Sequence, residues 1–187
     1  MQISADLKLV VPARFDADGK PVSYLYHTPI PREVYATVFR LLRDTKVNLI
    51  GTSARHAFAA RGDATLYLRE AGAAIAAERG EQADGGATAL LGEINRLTMA
   101  LVPIATGFDM VPVQSAIASG ALTADEWADA EAAIVFFTAW VAGTPRQEIA
   151  SEMKLAASLL NGSTTSLPPM EWIASLRTST PGAISEG

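Results

Sequence analysis

The chain contains no cysteine among its 187 residues. That excludes disulfides, thiolate metal sites and a cysteine nucleophile, and it agrees with a reducing compartment. Histidine is nearly as scarce, with only His27 and His56, so an imidazole-rich metal centre is not expected. Positive charge is short: 15 Lys and Arg against 20 Asp and Glu give a net charge of −5. With a pI of about 5.0, no nucleic-acid footprint is expected. A long hydrophobic run is also missing. The most apolar stretch, Ala132 to Ala142, is about half of the roughly 20 residues that span a bilayer. Met1 to Val11 lacks the pattern of a signal peptide. The expectation is a cytoplasmic protein with no membrane partner.

Charged residues make up 19% of the chain, below the roughly 25% of an average protein, and the mean hydropathy is +0.19. Two readings stay open. The excess is alanine in a helical protein, or some apolar surface is covered by other subunits.

The first thirty residues alternate as strands do. Leu7, Leu9 and Val11 face one way, Asp18-Gly19 is a hairpin turn, and Val22 to His27 returns. From Pro31 onward the spacing predicts helices. The first runs from Pro31 to about Leu49, is broken by Gly51-Thr52-Ser53, and resumes over Ala54 to Ala60. Asp63 caps the next, over Ala64 to Glu78, and Gly80 to Gly86 forms a flexible loop. Thr88 to Thr106 reads as one helix, because Leu90, Leu91, Ile94, Leu97, Thr98 and Leu101 recur along one side; Pro103 ends it. Phe108 to Val113 is extended, and Val113 to Ser119 is a short helix closed by Gly120. Thr123 and Glu126 form a capping box for a helix that continues to about Ala142. Thr144-Pro145 starts another, ending at Asn161-Gly162. Ser163 to Ser166 is a polar link, and a last short helix reaches about Leu176. The fold class expected is therefore mainly α with a small N-terminal β-hairpin, a bundle-like body of about six to eight helices. Residues 1–30 form the hairpin element and 31–177 the helical body, with a candidate hinge at 80–86 and a flexible tail at 178–187.

Motifs for chemistry fail one by one. Gly85-Gly86-Ala87-Thr88 lacks the lysine and the preceding strand of a phosphate loop. No G-x-S-x-G is present, and neither histidine sits in a triad pattern. Asp16 and Asp18 begin like a calcium loop, but no glutamate follows at the twelfth position. Asp125, Glu126, Asp129 and Glu131 cluster where a helix dipole favours acids. No catalytic, cofactor-binding or metal-binding residue is assigned, and the expectation is a protein that is not an enzyme and has no cofactor.

Trp127, Trp140 and Trp172 join Phe136 and Phe137 in the C-terminal third. Ile134 to Trp140 is apolar on nearly every face, so it must be buried all round. Ile134, Phe137 and Val141 are expected in the core. Phe136 and Trp140 are candidate partner contacts, as is Val10 on the hairpin, whose backbone could add to another chain's sheet.

Three stretches carry a family resemblance. They are LKLVVPARFDADGKPVSYLYHTPIPREVYATVFRLL near the start, GFDMVPVQSAIASGALTADEWADAEAAIVFFTAW, and NGSTTSLPPMEWIASLRTSTP near the end. In the first, Thr28-Pro29-Ile30-Pro31-Arg32-Glu33 enters a helix. In the second, Val111-Pro112, Ala116 and Gly120 precede an acidic, aromatic helix. In order and character these resemble the tail assembly chaperones of long, non-contractile-tailed bacteriophages; Gly51 to Gly86 lies outside the resemblance. The resemblance implies a non-enzymatic role in the host cytoplasm, holding tape-measure and tail tube proteins in an assembly-competent state, with self-association. The rival is a virion structural subunit, such as a head or tail completion or decoration protein. A third reading is an unrelated helical enzyme or regulator.

Overall fold

The computed structural model describes residues 1–81, 84–104, 107–145, 147–165 and 171, with the side chains of 52–61, 103, 107 and 108 left aside. In chain order the elements are β1 (Gln2–Ser4), β2 (Leu9–Phe15), β3 (Pro21–His27), α1 (Arg32–Gly62), α2 (Ala64–Arg79), α3 (Ala87–Arg96), β4 (Thr98–Ile104), β5 (Gly107–Pro112), α4 (Val113–Ala118), α5 (Ala124–Trp140), α6 (Ile149–Leu159) and β6 (Ser163–Thr165). The strands form one sheet in the order β5-β4-β3-β2-β1-β6. Every neighbouring pair is antiparallel except β1 and β6, which run parallel. The fold is thus α+β, six helices on a six-stranded mixed sheet among the described residues, and not a small hairpin beside a helical bundle.

The hairpin itself lies where the turn residues put it. Asp16 Oδ1 accepts from the N–H groups of Asp18 and Lys20 at 3.0 and 2.8 Å. Gly19 supplies the left-handed φ of +75° that closes the turn. Its strands, however, are not a solitary pair. Leu25 of β3 pairs with Val11 on one side and Ala100 on the other, and β2 is flanked by β3 and β1.

The largest correction falls on 98–112. Thr98 to Ile104 is a strand and not the end of a helix, and it makes a second hairpin with β5 from Ile104↔Gly107 to Met99↔Pro112. Thr98, Ala100 and Leu101 are all buried, so both faces of β4 are covered and the polar alternation that marks a strand is missing. Leu97, Thr98 and Leu101 then extend the helical spacing of Leu90 and Ile94 by coincidence. The break expected at Gly51-Thr52-Ser53 is likewise absent, since α1 runs unbroken to Gly62. A helix-interior glycine costs about 1 kcal/mol, less than the tertiary packing of α1 against α2 and α5 provides. The helix expected from Thr144 begins at Ile149, and the polar link after it contains β6. The last short helix expected after Ser166 lies outside the described residues.

Sheet periodicity divides the core. Leu9, Val11, Leu25 and Ala100 join the helices in the main cluster. Val10, Tyr24 and Leu101 form a smaller cluster on the reverse face, with Tyr26 against it. At the centre lies α5, begun by the expected capping box: Thr123 Oγ1 accepts from Glu126 N–H, and Glu126 accepts from Thr123 N–H. It is packed by α1, α2, α3, α6 and β2, so this chain itself supplies every side that the apolar helix needs. One close approach requires glycine. A Cβ on Gly72 of α2 would lie 2.2 Å from the Asp84 carbonyl oxygen, so the second half of the 80–86 loop rests directly on that helix. No helix among the described residues is long and apolar enough to cross a membrane.

Candidate functional site

A cavity of about 420 Å³ opens where the C-terminal end of β3, the first turns of α1 and the C-terminal end of α5 meet, within the roughly 300–1,000 Å³ of ligand pockets. Leu7, Ile30, Phe39, Phe137, Val141 and Ile149 supply apolar wall. His27 and Thr138 are the buried polar residues in the lining, His27 only 2% exposed. None of the lining residues carries a full charge at neutral pH.

The state of His27 follows from its neighbours. Thr98 Oγ1 uses its one hydrogen on the Ile94 carbonyl at 2.7 Å. It can therefore only accept from His27 Nδ1, 2.8 Å away, which places the imidazole proton on Nδ1 and leaves Nε2 as an acceptor. Burial holds the imidazole pKa down to about 4, because the charged form would lose its water. The side-chain nitrogen and oxygen atoms enclosed without any partner among the described residues are Thr65 Oγ1 and Trp140 Nε1. His27 Nε2 is not one of them, and the His27 ring lines the cavity.

The rim is fixed by a long-range hydrogen bond: the Gly143 N–H donates to the Tyr35 hydroxyl at 2.5 Å. Gly143 takes a φ of +73° there, with the Phe39 ring close behind it. Tyr35 and Phe39 meet edge to face at 5.9 Å. Thr138, also in the lining, spends its hydroxyl hydrogen on the Ile134 carbonyl.

A second cavity of about 630 Å³ lies between β2 and the N-terminal half of α5. It borders a bidentate pair in which Arg14 Nε and Nη2 donate to Glu126 Oε1 and Oε2 at 2.7 and 3.0 Å. With Arg14 beside it and the Thr123 N–H bound, the Glu126 carboxyl is lowered to about 2. Glu126 therefore closes the capping box and ties α5 to the sheet. Glu126→Gln, which keeps a capping side chain, should cost about 0.5–1 kcal/mol, and Glu126→Ala about 1–2 kcal/mol, the arginine being partly solvated. The contribution is present above the unfolded value of 4.5 and is lost as pH falls toward the folded one. Urea titrations at pH 7 and pH 3 check this: wild type and Glu126→Ala should differ less at the lower pH.

The residues singled out from sequence are placed differently from one another. Val10, Phe136 and Trp140 are 0%, 1% and 7% exposed, all enclosed by the chain's own fold. Val10 is an interior position, paired with Tyr26 on one side and Gln2 on the other. Ile134 and Phe137 are core, and Val141 is partly buried against it and lines the first cavity. Among the acids, Glu126 is structural and Glu131 has its carboxyl pushed up by burial. No group of three potential ligands that could hold a metal occurs among the described residues. His27, to which no motif assigned a role, is buried in the lining of a pocket. The His56 side chain and Trp172 lie outside the described residues. Sequence reasoning passed over Tyr35, Phe39, Thr98 and Gly143, which come from three separated segments, α1, β4 and the turn after α5.

Phe39 lines the first cavity and is also 41% exposed; Val47 and Ile50, further along α1, are 63% and 48% exposed. At 100° per residue the three fall within an arc of about 80°, which they share with the exposed Arg43. No protein-family model, curated protein or solved structure matches this chain.

Proposed function

We propose that this chain is a non-enzymatic protein-binding factor, a tail assembly chaperone of a long, non-contractile-tailed phage that holds tape-measure and tail tube proteins during morphogenesis in the host cytoplasm. The observation that carries the protein-binding part is the cavity with no charged lining, together with the exposed apolar side chains of Phe39, Val47 and Ile50 on α1. Long tape-measure helices expose apolar faces before assembly, and such faces aggregate unless covered. An apolar cavity and exposed apolar side chains on one helix are suited to covering them, as helix-in-groove recognition does elsewhere. The phage assignment rests on the sequence resemblance.

Co-expression with the tape-measure protein tests it. The wild-type chain should keep that protein soluble and co-purify with it. Val47→Asp and Ile50→Asp place a carboxylate at exposed positions of α1, so stability should move by no more than about 0.5 kcal/mol. Capture should fall by about tenfold or more. Deleting the gene should leave filled heads without tails. The rival, a virion structural subunit, draws support from β5, the outermost strand of the sheet, with exposed Met110 and Ile104 beside it, an edge that a second copy could extend. Stoichiometric copies of the chain in finished virions would reject the transient role and favour that subunit.

A further inference from the structure

We infer that the cavity beside His27 takes an uncharged aromatic side chain bearing one N–H or O–H donor, a tryptophan or tyrosine of the protein partner, with His27 Nε2 accepting its hydrogen bond. The identity of the occupant as a side chain rests on the protein-binding reading above; the chemistry of the pocket does not.

Three observations select the ligand. The lining has no charged residue, so a carboxylate, phosphate or ammonium would be desolvated without compensation. The hydrogen bond from Nδ1 to Thr98 Oγ1, itself committed to the Ile94 carbonyl, leaves Nε2 able only to accept. A purely aliphatic occupant would seal that acceptor away from water with nothing to bind it, which costs about 1–3 kcal/mol. The walls offer Phe39, Phe137 and Tyr35 rings, which pack against another ring edge to face or offset. Phe39 is also 41% exposed, so the pocket wall is reachable from outside; that the occupant is a projecting side chain follows from the protein-binding reading.

The test uses two isomers of equal size, 3-methylindole with its N–H and 1-methylindole without it. The readout is the nitrogen resonances of the His27 imidazole in the full chain, assigned with the help of a His56→Gln variant. The inference requires saturable binding of 3-methylindole, a shift at Nε2 and none comparable at Nδ1, and affinity about fivefold or more above that of 1-methylindole. Phe39→Ala, which removes a partly exposed wall without touching His27, should weaken the binding. Equal affinity of the two isomers, or no shift at Nε2, overturns the assignment. If 3-methylindole binds as required but no tape-measure protein is captured, the pocket chemistry stands and the chaperone reading is what fails.

Discussion

Phe136→Ala should lower the unfolding free energy by about 3–5 kcal/mol, the usual cost of emptying an aromatic position in a packed core. Phe136 is 1% exposed and stacks on Trp140 with ring centroids 5.3 Å apart and planes 16° from parallel. It lies on α5, which is walled by α1, α2, α3, α6 and β2, so no mobile neighbour is at hand to collapse into the void. For a domain of this size the loss corresponds to a melting temperature lower by about 6–20 °C. Trp140→Phe is the informative companion. Trp140 Nε1 is enclosed with no hydrogen-bond partner among the described residues, so this change removes that donor together with part of the ring. It should cost only about 1–2 kcal/mol. Guanidinium titrations followed by circular dichroism would measure both. If Phe136→Ala left the midpoint unchanged and only weakened self-association or partner capture, Phe136 would be an interface residue after all, and the enclosed α5 described above would be wrong.

The same helix shows what could be read in advance. Apolarity on every face of Ile134 to Trp140 demanded burial on every side. It did not say whose atoms would do the burying, because that depends on strands and helices brought in from across the chain. Local chemistry was legible where the cause is local: Asp16, Asp18 and Gly19 make the turn, and Thr123 and Glu126 make the cap. It failed where the cause is tertiary. Thr98 to Ile104 is stabilised by ladders to β3 on one side and β5 on the other, and a strand covered on both faces has no period that distinguishes it from a buried helix. Ser163 to Thr165 pairs with Gln2 to Ser4 from the opposite end of the chain, a partnership with no trace in either segment alone. Reading the N-terminal hairpin as solitary, and its Val10 as an edge, followed directly from missing β4 and β1. The pocket was hidden for the same reason. His27 drew notice as one of two histidines, but its neutrality and its acceptor depend on Thr98, its cross-strand neighbour in the unrecognised strand.

That buried imidazole gives the second large effect, a loss of stability on mild acidification. In the unfolded chain His27 has an ordinary value of 6.5, whereas burial holds it near 4 in the folded one. Above pH 6.5 both states are neutral and the linkage contributes nothing against folding. As pH falls below 6.5 the unfolded chain takes up a proton that the folded chain refuses, so stability drops until the folded imidazole also titrates near pH 4. At 1.36 kcal/mol per unit of displacement the whole window is worth about 3 kcal/mol, of which about 2 kcal/mol is lost between pH 7 and pH 5. The paired carboxylates fall in a separate window: Asp6, Asp84, Glu93 and Glu126 are all held below their usual values, so their contributions fade mainly below pH 4.5. Urea titrations in half-unit steps from pH 7.5 to 4.5 should therefore show a decline that begins above the carboxylate range. In His27→Asn, whose amide nitrogen takes the place of Nδ1 beside the Thr98 hydroxyl but cannot titrate, that early decline should flatten while the acid limb below pH 4.5 stays. An unchanged early decline in this variant, once its folded state is verified by circular dichroism, would show that His27 is not buried as a neutral imidazole. The pocket would then have lost its acceptor, and 3-methylindole should no longer be preferred over its isomer.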